Sequence, residues 1–464
     1  MITGLALIMM ILSLTEGEPQ SSLTWRSLFG IHYSIEEPDV GIVRDAPIHQ
    51  WGDTLDVTDR KPEGVTSFRG PFSGQMRLFD FAGRTLRFSN DAIVAEAGEK
   101  GIIVLPILGL PRKLSLYERY EVWQDIVYAQ VHRYNAGEFA PHPVRYWQLG
   151  NEINGITHFN ILGLDLKVVN PWRHFNRPEQ LEAYVNRFFA PTAAAVRRAS
   201  KDIYGDERRL KIVLGSIANA YNPTSRRWLN DLLSRHIDNP RTPELHGKAV
   251  WEVADILSFH YLVTRAAPDW EESLDELYRR WIETGRMEGM WATEEHGAKG
   301  RGFVTVARVA ARWLHWWSKH RWKPDRGRCI FWGVDRPKPG SKGMEAIRLL
   351  GEFLDDLPLT EVSEKVKVKG TEGLRLYAFQ ATHGEAERRL CVVAFPEGEE
   401  RIIQELSWND VLFDGEALLI VAHSDRPRSE ERIPVRNGRL SFKIPLRLNP
   451  ATEDTLIVLV KGEL

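Results

Sequence analysis

The chain has 464 residues, 43% hydrophobic and 27% charged, enough to bury a large core and to divide into more than one domain. A formal net charge of -2 gives no electrostatic reason to bind nucleic acid. Two cysteines, Cys329 and Cys391, fall in separate parts of the chain and read as two buried free thiols, with one interdomain disulfide after export as the alternative.

The chain opens on an apolar run, Met1 to Leu14, too short to span a bilayer. It matches the hydrophobic part of a secretory signal peptide, although no Lys or Arg precedes it and no Ala-x-Ala site follows. The expectation is a signal peptide over residues 1–18, a secreted or periplasmic protein, and no stable membrane insertion once the signal is removed.

From residue 25 to residue 355, apolar runs alternate with amphipathic helical stretches. The runs begin with Ser27 to Tyr33, Val40 to Asp45, Gly101 to Leu108 and Val144 to Leu149. They continue with Leu210 to Ser216, Ala254 to Tyr261, Gly289 to Glu294 and Arg328 to Gly333. Several are almost continuously apolar, as expected of parallel strands covered on both faces. Pro106 lies inside the third and predicts that this strand ends or bulges there. Helical stretches such as Ser89 to Lys100, Leu116 to Tyr134, Glu179 to Lys201 and Phe303 to His320 separate the runs. This α/β alternation predicts a (β/α)8 TIM barrel over residues 19–358. A doubly wound open sheet is the competitor, but no phosphate-binding glycine loop or dinucleotide fingerprint supports it.

After Leu357 the period shortens. Alternating runs such as Leu374 to Phe379, Arg389 to Phe395, Ala417 to Ala422 and Thr455 to Val460 replace the helices. Asn437-Gly438 is a hairpin signal between Arg432-Ile-Pro-Val435 and the run from Arg439. The expectation is a small antiparallel β-sandwich domain over residues 359–464.

A barrel carries its chemistry at the C-terminal ends of its strands. The polar residues placed there are His32, Arg44 and Asp45, Asn151 and Glu152, Asn219, His260 and Tyr261, Glu294 and Glu295, and Trp332. Carboxylates ending strands four and seven would face each other across the mouth. Two such groups suit glycosidic bond cleavage, where one protonates the leaving oxygen and the other stabilises or attacks the anomeric carbon. A separation of about 5–5.5 Å makes the second a nucleophile. The 16 tryptophans are mostly core, yet a surplus of indoles also suits stacking against a pyranose face.

Trp147-Gln-Leu-Gly-Asn-Glu152 resembles the strand-four motif of glycoside hydrolase clan A, the 4/7 superfamily of retaining glycosidases. Met290-Trp-Ala-Thr-Glu294 resembles its strand-seven motif. Gly41-Ile-Val-Arg44 with Trp51 beyond it, and the pair His260-Tyr261, are also similar, so the likeness runs the length of the barrel in order. It implies Glu152 as general acid/base and Glu294 as nucleophile. Asn151 would bind the hydroxyl beside the anomeric centre, Arg44 and Tyr261 would hydrogen-bond the nucleophile, and Trp332 would stack on a sugar ring. His32 and His260 would be subsite contacts. The implied activity is retaining hydrolysis of a β-linked sugar or its α-L-arabinosyl equivalent, in a plant-type polysaccharide or oligosaccharide. The partner would be a carbohydrate substrate, with no nucleic acid, no cofactor and no metal.

One departure stands out. Clan members follow the nucleophile with an aromatic residue or glycine, whereas here Glu295 and His296 follow. Glu295 is therefore the alternative nucleophile, because a strand apolar on both faces gives no parity to choose by. Other readings also compete. A strand-end glutamate often caps a helix or pairs with an arginine, and His260 could be a satisfied core histidine. A catalytically inactive carbohydrate-binding barrel would keep the fold and the cleft. A lyase or aldolase would need a strand-end lysine or a metal-binding carboxylate cluster, and neither is evident. Sugar identity and internal or terminal action depend on the loops Gln50 to Asp80, Thr157 to Arg177 and Val263 to Glu271. Oligomeric state is not encoded in any visible motif.

Overall fold

The computed structural model describes residues 24–32, 42–44, 54–55, 86–88, 90–108, 120–155, 176–264, 269–296, 302–320, 326–332, 342–354, 357–369, 374–383, 387–396, 400–409, 414–450 and 454–463. The expected signal peptide and Trp51 lie outside them, as do the side chains of His32, Arg44 and His296.

The larger of two compact units, Phe29–Ala310 with Arg328–Glu352, contains the barrel. Its parallel strands are β1 (Phe29–His32), β2 (Ile42–Arg44), β3 (Ile103–Leu105, resuming as Ile107–Leu108) and β4 (Tyr146–Asn151). They continue as β5 (Lys211–Ser216), β6 (Ile256–His260), β7 (Gly289–His296) and β8 (Gly327–Trp332). The sequence of pairings starts with Ile103–Leu105 on β2, runs through β1, β8, β7, β6, β5 and β4, and ends with Ile107–Leu108 on β4. Both ends of the sheet are thus halves of one strand, and the sheet closes on itself. Pro106 divides that strand because it has no N–H to give to a ladder. Its carbonyl still accepts the Gln148 N–H at 3.0 Å, so the seam is joined by hydrogen bonds on both sides.

Inside the barrel, Leu105, Tyr146, Val213, Ile256, Trp291 and Ile330 form a buried layer. The Tyr146 and Trp291 rings lie 4.9 Å apart, and the Arg328 guanidinium lies 5.3 Å from the Trp291 ring centre. Such a packed interior leaves ligand access only at the strand ends. At the N-terminal face, the fully buried Asp255 just before β6 accepts Arg197 Nη2, Arg208 Nη2 and the Ile212 N–H, each at 2.7 Å. Buried ionic clamps on that face serve the fold rather than chemistry.

One helical run has a local irregularity that matters above. The α-helix Pro178–Ala183 passes into π turns over Tyr184–Phe189 and back to α-helix over Ala190–Tyr204. Pro191 lacks the N–H that would bond the Arg187 carbonyl, and the helix widens just before it. The widened turn carries Tyr184, which is buried beneath β4 and β5.

The second unit comprises the described residues among 1–28, 311–327 and 353–464. Its strands are β9 (Leu359–Glu361), β10 (Val366–Lys369), β11 (Leu374–His383), β12 (Glu387–Pro396), β13 (Arg401–Asn409), β14 (Gly415–His423), β15 (Ser429–Val435), β16 (Arg439–Leu448) and β17 (Leu456–Glu463). One antiparallel sheet has the order β9-β11-β12-β17-β14-β15 and the other β10-β13-β16. Leu390, Val392, Leu419 and Val458 from the first share one core with Leu406, Trp408, Phe442 and Leu446 from the second, which makes the pair a sandwich. The fold is therefore a (β/α)8 barrel followed by an antiparallel β-sandwich. Cys329 in the barrel and Cys391 in the sandwich are both buried and unbridged.

Strand β16 shows why the sandwich is legible from its sequence: burial alternates residue by residue along all ten positions. Asn437 and Gly438 take φ of 54° and 63°, the paired left-handed conformations of a tight hairpin turn. The hairpin is only one bridge long, Arg436 to Arg439, because β15 and β16 then enter different sheets.

In the sandwich unit, Glu361 accepts His315 Nδ1 at 2.7 Å, Ser318 Oγ at 2.7 Å and Ser363 Oγ at 2.8 Å. Burial opposes its ionisation, but these bonds together outweigh burial and hold the carboxyl below its ordinary value. A depressed folded-state value means that the stabilisation is complete above the unfolded value of about 4.5 and is lost as pH falls through the folded value. Melting temperatures measured from pH 7 downward should show wild type above Glu361→Gln at neutral pH, with the gap closing in acid. A gap that stays constant with pH would show that ionisation of Glu361 contributes nothing.

Candidate active site

Strand β4 delivers the first carboxylate through a tight backbone turn. Gly150 has φ of 86°, and a Cβ there would lie 2.9 Å from Ile153 Cγ2, so glycine is required on both counts. Glu152 itself has φ of 47°, an unfavourable conformation for a non-glycine residue. Asn219 after β5 and Tyr261 after β6 are also left-handed, at 57° and 59°. Three successive strands thus end in strained residues on the same face of the barrel, where function concentrates such strain.

The turn after Glu152 is tied down by amides. Gln180 Nε2 donates to the Ile153 and Gly155 carbonyls at 2.6 and 2.5 Å. Asn154 donates to the Ala218 carbonyl at 3.1 Å and accepts the Ala218 N–H at 2.7 Å, joining the loops after β4 and β5. Below them the Tyr184 hydroxyl donates to the Leu149 carbonyl at 2.7 Å.

Five of the predicted residues converge. The Tyr261 hydroxyl lies 2.9 Å from Glu294 Oε2 and 3.3 Å from Glu152 Oε1. His260 Nδ1 lies 3.3 Å from Glu152 Oε1 and 3.5 Å from Glu294 Oε2. Asn151 Nδ2 is 3.5 Å from Glu294 Oε1. One atom each from Glu152, His260 and Glu294 fall within 4.8 Å of one another, which also makes them a donor set that a cation could bridge. The two carboxylates differ in environment: the Glu152 side chain is 33% exposed and that of Glu294 only 6%. Burial, and then the charges of Glu294 and Glu152, push the Tyr261 phenol well above its ordinary value, so it keeps its proton.

Glu295 points elsewhere. It is fully buried and accepts hydrogen bonds from the Val263 and Thr264 N–H groups at 3.1 and 2.7 Å and from the Thr264 hydroxyl. Burial pushes its carboxyl upward, while the bonds from Thr264 and Val263 and the nearby His260 pull it back in part. Consecutive residues of a strand face opposite sides, and the slip in the pairing of β7 with β6 between Ala292 and Glu294 sets which side each glutamate takes. Under the bulge, the Ser216 hydroxyl bonds to Ser258 Oγ at 2.7 Å and to Thr293 Oγ1, a small polar layer below the carboxylates.

The remaining predicted residues stand at strand ends without a described place in the cluster. His32 and Arg44 end β1 and β2 in register with each other, and Trp332 ends β8 half-buried. Sequence reasoning did not anticipate the supporting amides Gln180 and Asn154 or the anchoring contacts of Glu295. Asn154 could have been suspected from its place two residues after Glu152, but Gln180 carries no signal outside a generic amphipathic helix.

No family model and no curated protein sequence matches the chain. Among solved structures, a glycoside hydrolase family 44 endoglucanase from Clostridium acetobutylium aligns over 95% of this chain and 98% of its own, with 9% identity and a TM-score of 0.52. An arabinofuranosidase aligns over the same shares, with 12% identity and a TM-score of 0.52. At such identities the likeness is one of fold, and it extends through both the barrel and the sandwich.

Gly215 on β5 tests how tightly the site is built from below. A Cβ there would fall 2.3 Å from the Leu149 carbonyl oxygen and 2.5 Å from Ile153 Cγ2, and the first of these is backbone. Gly215→Ala should lower unfolding stability by about 1–3 kcal/mol, as overpacking does, in a denaturant titration. Stability equal to wild type would mean that β4 and β5 are more loosely packed than these distances imply.

Proposed function

We propose that the protein is a retaining glycoside hydrolase, with Glu152 as general acid/base and Glu294 as nucleophile. The observation that carries this reading is the single Tyr261 hydroxyl lying between the two carboxylates. That hydroxyl has one proton to donate, and the shorter contact assigns it to Glu294. The Tyr261 oxygen can then only accept in the longer contact, which suits a protonated Glu152. This is the inventory that double displacement requires: an ionised nucleophile beside a protonated acid.

In the first step Glu294 attacks the anomeric carbon and forms a glycosyl ester, while Glu152 gives its proton to the departing oxygen. In the second, Glu152 takes a proton from water as that water attacks the anomeric carbon and releases Glu294. Asn151, beside Glu294, suits the hydroxyl next to the anomeric centre, where a hydrogen bond strengthens in the transition state. One oxygen of Glu152 lies within 4.8 Å of one of Glu294, which fits the about 5–5.5 Å of retention better than the about 6.5–9.5 Å that inversion needs for a water. The fold shared with an endoglucanase and an arabinofuranosidase supports a carbohydrate substrate. Arg44, His32 and Trp332 complete the proposed substrate contacts, and residues 1–18 are proposed to direct export.

A panel of chromogenic glycosides followed by NMR should give the retained anomer as first product; the inverted anomer first would overturn the mechanism. Glu152→Ala should lower kcat on the order of 10²–10⁴-fold. Glu294→Ala should be inactive and regain turnover with azide. Rescue of Glu295→Ala instead would reverse the nucleophile assignment. Activity should be undiminished in chelator, whereas loss that a divalent ion restores would favour metal chemistry at Glu152, His260 and Glu294.

A further inference from the structure

Beside the two glutamates of the hydrolytic scheme stands a third, fully buried, that the scheme does not use. A buried carboxylate is costly unless its lone pairs are met. Here donors of the loop after β6 meet them: one Glu295 oxygen takes the Val263 N–H, and the other takes the Thr264 N–H and hydroxyl. Two consecutive backbone N–H groups converging on one anion form a nest, which fixes the direction of the chain that supplies them.

The chain fixed in this way begins at Tyr261. The Tyr261 N–H donates to the Glu294 carbonyl at 3.0 Å, so residues 261–264 are tied at both ends to consecutive residues of β7. Only Leu262, itself buried, lies between the ties. Tyr261 has φ of 59°, a conformation that a tyrosine holds only when its surroundings impose it. Released from the second tie, the backbone would relax toward negative φ and carry the phenol away from the carboxylates.

We infer that Glu295 is a positioning residue: its carboxylate anchors the loop after β6 in the strained turn that sets the Tyr261 hydroxyl between Glu152 and Glu294. The inference rests on the hydrolase reading for its catalytic consequence, but the anchoring itself does not. Three donors converge on this one side chain, so the position calls for an acceptor. An amide is no substitute, because its nitrogen would meet an N–H where an oxygen accepts now.

The test combines hydrogen exchange with a double-mutant cycle. Mass spectrometry of a peptide covering 261–264 should show exchange on the order of tenfold faster in Glu295→Gln than in wild type. Thr264→Val, which removes one donor and leaves the carboxylate, should shift exchange in the same direction by less, and it serves if the glutamine variant does not fold. On the best substrate of the panel, Glu295→Gln should lower kcat about tenfold to a hundredfold with KM little changed. Glu295→Gln combined with Tyr261→Phe should be no slower than Tyr261→Phe alone, because both remove the same contact. Unchanged exchange overturns the anchor, and kcat losses that multiply overturn the route through Tyr261. If wild type hydrolyses no glycoside, the hydrolase reading fails, while the exchange result still decides the anchor.

Discussion

Two carboxylates held within 4.8 Å of each other in a partly dry cleft repel unless a proton or a cation sits between them. The Tyr261 hydroxyl and His260 Nδ1 both reach into this gap, and each is within 3.5 Å of both glutamates. Much of the surrounding structure serves to hold that gap at a fixed width. Closure of the barrel at Pro106 brings β4 and β7 to the same rim. Glycine at 150, the amide ties of Gln180 and Asn154, and the bulge in β7 then set the last ångströms on each side.

The rim is strained and the layers beneath it are not. Glu152, Asn219 and Tyr261 all adopt positive φ, a cost on the order of 1–3 kcal/mol each. Below them lie the hydroxyls of Ser216, Ser258 and Thr293, and below those the Tyr146 and Trp291 rings with the Arg328 guanidinium against Trp291. The lower layers are fully packed, so the strain cannot relax downward into the barrel. It can relax only by movement of the loops, and those loops are the ones carrying the amide and carboxylate ties. Such a division, with a rigid floor and a strained rim held by polar contacts, is how a barrel supports precise geometry on loop residues.

The parts of this arrangement legible in the sequence were those set by period and order. Near-continuous apolar runs marked the parallel strands, and counting them put Asn151-Glu152 on strand four and Thr293-Glu294 on strand seven. The fold then brings residues at strand ends to one face without further information, so Asn151, Glu152, His260, Tyr261 and Glu294 could be placed together. Strand β13 was missed because its alternation breaks: its pairing with β16 slips between Ile403 and Glu405, so buried Ile403 and Leu406 stand three residues apart. The direction of Tyr261 was hidden for another reason: a positive φ at tyrosine runs against its own propensity and is imposed by contacts distant in sequence.

The choice between Glu294 and Glu295 shows where one-dimensional reasoning stops. In a regular strand adjacent residues face opposite sides, so one of the pair would face the cleft and parity would say which. The register slip between Ala292 and Glu294 breaks that count at the point where it is needed. What separates the two residues is their partners: Glu294 meets Tyr261 and Asn151 across the mouth, and Glu295 meets the N–H groups of Val263 and Thr264 behind it. A carboxylate that spends its lone pairs on backbone donors has none directed at a sugar. Its neighbour instead lies among the Tyr261 hydroxyl, His260 Nδ1 and Asn151 Nδ2 on the side of Glu152, and the buried glutamate is tied to the turn that carries that phenol.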